Sequence, residues 1–146
     1  MKNIKIITTA DSGGLIDQIK QVNEEFNKIG YESSIIRINK FKDRTIKNIN
    51  LGDNVIFQMS HYGYQEKGMP LWIINELKKI KNKSSSFGIF FHELFINEKI
   101  WNYRFVISLI QKYINIKILK YSDYWITSNI SYFKWLEKYS VSSNKY

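Results

Sequence analysis

No cysteine occurs in the 146 residues. That excludes a disulfide framework, a thiolate zinc site and a cysteine nucleophile, and is compatible with a reducing compartment. There is one proline, Pro70, and no stretch with the composition of a linker, so the chain reads as a single domain over 1–146. No apolar run approaches the roughly 20 residues of a membrane-spanning helix. Met1-Lys2-Asn3-Ile4-Lys5 is not followed by the apolar stretch of a secretory signal. A soluble, cytoplasmic protein is expected. Histidine is scarce as well, with only His61 and His92.

Arginine is nearly absent. Of 22 basic side chains only Arg37, Arg44 and Arg104 are arginine, against 13 acidic ones, for a net charge of +9. Bidentate recognition of phosphates and bases favours arginine, so nucleic acid is not an expected partner. The lysines are scattered, with one cluster at Lys78, Lys79, Lys81 and Lys83. Lys, Asn and Ile make up about two fifths of the chain, and this bias accounts for part of the charge. An anionic membrane surface is the other partner such a balance suits.

Apolar residues supply 44% of the chain in regular patterns, which argues against disorder. Residues 4–9 form a β-branched run and read as a first strand. Asp11-Ser12-Gly13-Gly14 breaks it, and Leu15, Ile19, Val22, Phe26 and Ile29 then recur at helical spacing until Gly30. Further strands are expected at 33–38, 54–59, 87–91 and 124–127. Helices are expected after Pro70, over about 102–121 and over 131–138. The polar stretch 39–53 has room for a short helix. Strands alternating with helices predict an α/β fold, a three-layer Rossmann-like domain whose parallel sheet has about five strands. The order expected is 3-2-1-4-5.

In such sheets ligands bind beyond the carboxyl ends of the strands. Both histidines follow the ends of apolar runs, which makes their loops the candidate site. His61, Tyr62, Tyr64 and Gln65 offer proton-transfer, stacking and hydrogen-bonding groups; the plain alternative is a histidine held by backbone groups. His92-Glu93 is the sharper pair, with His92 at the sheet edge and Glu93 able to orient the ring, hold a cation or simply charge a helix start. Gly13 and Gly14 can bring backbone N–H groups near an anion, or form an ordinary turn capped by Asp11 or Ser12. No P-loop, dinucleotide fingerprint, nucleophile elbow or zinc-binding histidine pair is present, and no metal or cofactor is expected. Trp101 is singled out because it lies beyond His92.

Taken together, several stretches resemble the N-terminal half of a GT-B glycosyltransferase of the family-4 type, found in bacterial surface polysaccharide synthesis. They are Gly13-Gly14, His61-Tyr62-Gly63-Tyr64-Gln65, Gly68-Met69-Pro70-Leu71-Trp72, Phe91-His92-Glu93-Leu94 and Trp101, continued by Gln111, Ser122-Asp123 and Thr127-Ser128. The resemblance implies an acceptor-side domain facing a nucleotide-sugar domain across a cleft. Gly13 and Gly14 would lie near the donor phosphates and His92 against the donor sugar, with Glu93 and His61 as weaker matches. The acceptor would be a cell-surface glycan or a lipid-linked sugar at the inner membrane face. It also implies that 1–146 ends before the donor domain, as a fragment, an excised domain or a split-enzyme subunit, and is inactive alone because a transferase must hold both substrates at one centre. The rival reading is a non-catalytic flavodoxin-like module that binds a protein or an anionic membrane through Lys78, Lys79, Lys81 and Lys83.

Overall fold

A computed structural model describes residues 3–9, 14–95 and 103–140. Five strands form one wholly parallel sheet: β1 (Asn3–Thr9), β2 (Glu32–Ile38), β3 (Asn54–Met59), β4 (Ser86–Phe91) and β5 (Tyr124–Thr127). Helix α1 (Gly14–Lys28) joins β1 to β2. A single turn, α2 (His61–Tyr64), and then α3 (Trp72–Lys83) join β3 to β4. Helix α4 (Tyr103–Leu119) lies between β4 and β5, and α5 (Ile130–Ser140) follows β5. The expected α/β class and parallel sheet are present. Residues 39–53 carry turns and no helix.

The strand order is β2-β1-β3-β4-β5, which corrects the expected 3-2-1-4-5. The reason lies in side-chain character. β3 is nearly continuous in apolar residues, with Val55, Phe57 and Met59 fully buried, as an interior strand covered on both faces must be. β2 carries Glu32 and Arg37, both exposed, and such charges belong at an edge. β1 therefore pairs with β2 on one side and β3 on the other, Ile6 standing between Ile35 and Ile56. The connections leave β1 in opposite directions at this point, the switch where open α/β sheets form a crevice.

Alternation along the strands assigns the two faces. Ile4 and Ile6 pack with Ile19 of α1, with Phe26, Ile35 and Ile56 alongside. On the other face Ile7, Val55, Phe57, Phe87, Ile89 and Phe91 join Ile73 and Leu77 of α3, Ile114 and Ile118 of α4, and Leu136 of α5. Helix α1 thus serves one face over β1 and β2, and α3, α4 and α5 share the other. β5 is an edge strand, and Tyr124 and Ile126 on the α1 side stay partly exposed.

Gly88 of β4 is matched to that edge: a Cβ there would stand 2.1 Å from the Tyr124 ring. Gly88→Ala is expected to displace the ring and cost about 1–3 kcal/mol. The loss should largely vanish in a Tyr124→Ala background, as read by urea denaturation of the two single variants and the double variant.

Candidate functional site

Parallel strands place their carboxyl ends at one rim, and the segments after β3 and β4 meet there. Residue 58 is the only long polar side chain within the interior of β3, and it is fully buried. On the α1 face, Gln58 Oε1 accepts a 2.5 Å hydrogen bond from the hydroxyl of Thr8, itself fully buried. Gln58 Nε2 lies 2.9 Å from Nε2 of His92. The His92 ring also leans on Phe90, with centroids 4.1 Å apart, and its backbone N–H donates to Met59 O at 3.3 Å. Partial burial holds the His92 pKa below its ordinary value. The ring is half-buried and reaches the rim, so it can meet a ligand there.

His61 behaves differently. Its ring is 1% exposed, and Nε2 lies 2.8 Å from Leu94 O and 3.1 Å from Asn115 Oδ1. Both neighbours are acceptors, so Nε2 carries the proton. The Asn115 amide also donates to Leu94 O. Nδ1 is buried with no partner among the described residues. Burial depresses the His61 pKa to about 4, against the lesser opposing effects of Leu94 and Asn115. His61 is therefore a strut that ties α2 and α4 to the segment carrying His92, and it does not face solvent as a proton acceptor.

Tyr64 is also corrected. It is fully buried, stacks on Phe57 at 5.0 Å and donates its hydroxyl to Gln58 O at 2.6 Å, so no surface remains for a ligand. Gln65 closes the turn through its backbone, its N–H donating to His61 O. Glu93 is exposed and makes no hydrogen bond to His92; the side chain that orients the ring is Gln58. Gly14 opens α1, while Gly13 and Trp101 lie outside the described residues. Gln58, Thr8 and Asn115 were not among the expected site residues. The available signal was Gln58 alone, a lone polar residue inside the apolar run 55–59, since buried polar groups need partners.

Tyr62 is 40% exposed and lies over Gly68, whose φ of +67° suits glycine. Gln111 of α4 donates to Gly68 O at 3.0 Å and fixes this loop against the helix. Between them runs an open groove of about 940 Å³, lined by Tyr62, Met69, Tyr103, Val106, Ile107 and Ile110 together with the charged Glu66, Lys67 and Arg104. It lies on the α3–α4 side of the sheet, across the rim from His92. Among the described residues no cluster of His, Cys, Asp or Glu could hold a metal ion, and no helix is long and apolar enough to cross a membrane. Of the lysine cluster, Lys79 pairs with Glu76 at 2.7 Å and Lys81 with Asp123.

Searches against family models, curated proteins and solved structures give no match.

The burial of neutral His61 has a pH consequence. The unfolded ring takes up a proton near pH 6.5, whereas the folded ring does so only near pH 4. The unfolded state therefore binds more protons across that window, and stability must fall as pH drops from 6.5 towards 4, by about 3 kcal/mol in total. Urea denaturation at stepped pH should show this slope, and His61→Gln should flatten most of it. His92→Asn is the control for the second ring.

Proposed function

We propose that the chain is the acceptor-side half of a glycosyltransferase, which in a complete enzyme transfers a sugar from a nucleotide-sugar donor to a hydroxyl of a glycan or lipid-linked acceptor. The observation that carries this reading is the pairing, across one rim, of a half-buried histidine fixed by the sheet and a long apolar groove. His92 is held by Gln58 at 2.9 Å, and the groove measures about 940 Å³. The switch point between β1 and β3 opens at the same rim.

The groove suits an amphiphile. Its walls are mostly aliphatic and aromatic, and Lys67 in its lining offers a cation for a phosphate-linked head. From its wall, Tyr103 and Val106 continue into Leu109 and Tyr113 as an exposed apolar stripe along α4. The same helix carries Lys112 and Lys117. This composition supports a peripheral position on an anionic membrane face, where a lipid-linked acceptor would be found. The rival module built on Lys78, Lys79, Lys81 and Lys83 is less well supported, because two of these lysines already have carboxylate partners.

One face of a cleft holds one substrate, so on this reading transfer requires a nucleotide-sugar domain facing residues 1–146. The chain mixed with separately produced GT-B donor domains should transfer radiolabelled sugar from nucleotide-sugar donors to a short-chain polyprenyl-phosphate-linked acceptor, whereas neither half should do so alone. In an active mixture His92→Ala should lower kcat on the order of 100-fold, while Ile107→Glu should raise KM for the acceptor. If a full-length enzyme works in the same assay and no donor domain confers transfer on this chain, the reading is wrong. Leu109→Asp with Tyr113→Asp, both outside the groove lining, should separately reduce co-sedimentation with vesicles containing anionic lipid.

A further inference from the structure

We propose that Thr8 and Gln58 are positioning residues that lock the His92 ring as its Nδ1–H tautomer, so that the rim presents an N–H donor and not a basic nitrogen. The argument is a count of protons and lone pairs. The Thr8 hydroxyl is fully buried and must donate somewhere. Its acceptor is Gln58 Oε1, at 2.5 Å. This settles which end of the Gln58 amide faces β1, and the NH₂ end must then face His92. An amide NH₂ only donates, so the ring nitrogen 2.9 Å away must accept. Nε2 is therefore unprotonated, and in a neutral imidazole the remaining proton sits on Nδ1. Reversing the amide would leave the Thr8 hydroxyl without an acceptor in the interior, a cost that the observed orientation avoids.

Two further features agree. Protonating Nε2 would set an N–H against an NH₂ group, and partial burial also disfavours the charged ring. Nδ1 is not among the buried unpartnered atoms and makes no hydrogen bond to a described residue. His61 provides an internal contrast: its Nε2 faces two acceptors, so the two histidines hold opposite tautomers.

The chemical consequence is specific. With Nε2 occupied by Gln58 and Nδ1 carrying the proton, His92 cannot serve as a general base. It binds a hydrogen-bond acceptor, namely a hydroxyl, ring or phosphate oxygen. That the acceptor belongs to a sugar nucleotide rests on the transferase reading; the state of the ring does not.

The test is long-range ¹H–¹⁵N correlation on the uniformly ¹⁵N-labelled chain above neutral pH. Only two imidazoles contribute, and His92→Asn identifies the second by its loss. The wild type should show His92 with a pyrrole-like Nδ1 and a pyridine-like Nε2, and His61 with the reverse. Thr8→Val, close in shape, frees the amide to turn and should convert His92 to a mixture of tautomers, while Thr8→Ser should restore the wild-type pattern. Gln58→Glu should reverse the assignment, since a carboxylate accepts from Nε2–H. Should the buried carboxylate prevent folding, Thr8→Val with its serine rescue decides alone. A wild-type His92 protonated at Nε2, or a tautomer unchanged in Thr8→Val, overturns the proposal. Neither result bears on whether a donor domain restores transfer.

Discussion

Polar side chains carried into the interior at the carboxyl end of β3 need partners, and satisfying them organises the whole rim. Gln58 is buried in the second-to-last position of an interior strand, where water cannot serve its amide. Its side chain is shared between Thr8 of β1 and His92 beyond β4, and its carbonyl receives Tyr64 of α2. His61 and Asn115 repeat the solution one layer away, both donating to Leu94 O. Low local dielectric makes each of these bonds costly to lose. The segment bearing His92 is thus held from both faces of the sheet, by an amide on the α1 side and by an imidazole and an amide on the helical side.

Much of the fold was legible from residue patterns. The β-branched run at 4–9 and the helical spacing of Leu15 to Ile29 foretold β1 and α1, and the expected strands lie within a residue or so of the observed ones. The order of strands was legible only in part, because pairing partners are chosen largely by tertiary burial. Glu32 and Arg37 mark β2 as an edge, and the apolar run from Val55 marks β3 as interior. At the site, the position of both histidines was readable from strand ends. Their opposite fates were not: His61 sinks because Leu94 O and Asn115, both remote in sequence, receive its Nε2–H. Tyr64 was misjudged for a similar reason, since its stacking partner is Phe57 in the core.

The rim separates two kinds of chemistry across the sheet. His92 stands on the side of α1 with Gln58 and Phe90, offering a polar contact backed by a rigid strand. The groove between the Tyr62 loop and α4 lies on the other side and is largely apolar. On the proposed transferase reading, a charged sugar nucleotide and a greasy acceptor would need this kind of segregation, since each must be desolvated differently before a bond can form between them. Gly63 keeps the two regions close: a Cβ there would stand 2.2 Å from Thr9 Cγ2, so α2 can sit against the end of β1 only because no side chain intervenes.

The two margins of the sheet also differ from its centre. β2 places Glu32 and Arg37 in solvent, and β5 extends for four residues only. An exposed ladder invites intermolecular zippering in proportion to its length, flatness and lack of charge. One margin here is charged and the other is too brief to template much growth, so a wholly parallel sheet with an apolar interior is shielded at both ends from recruiting further strands into fibrils.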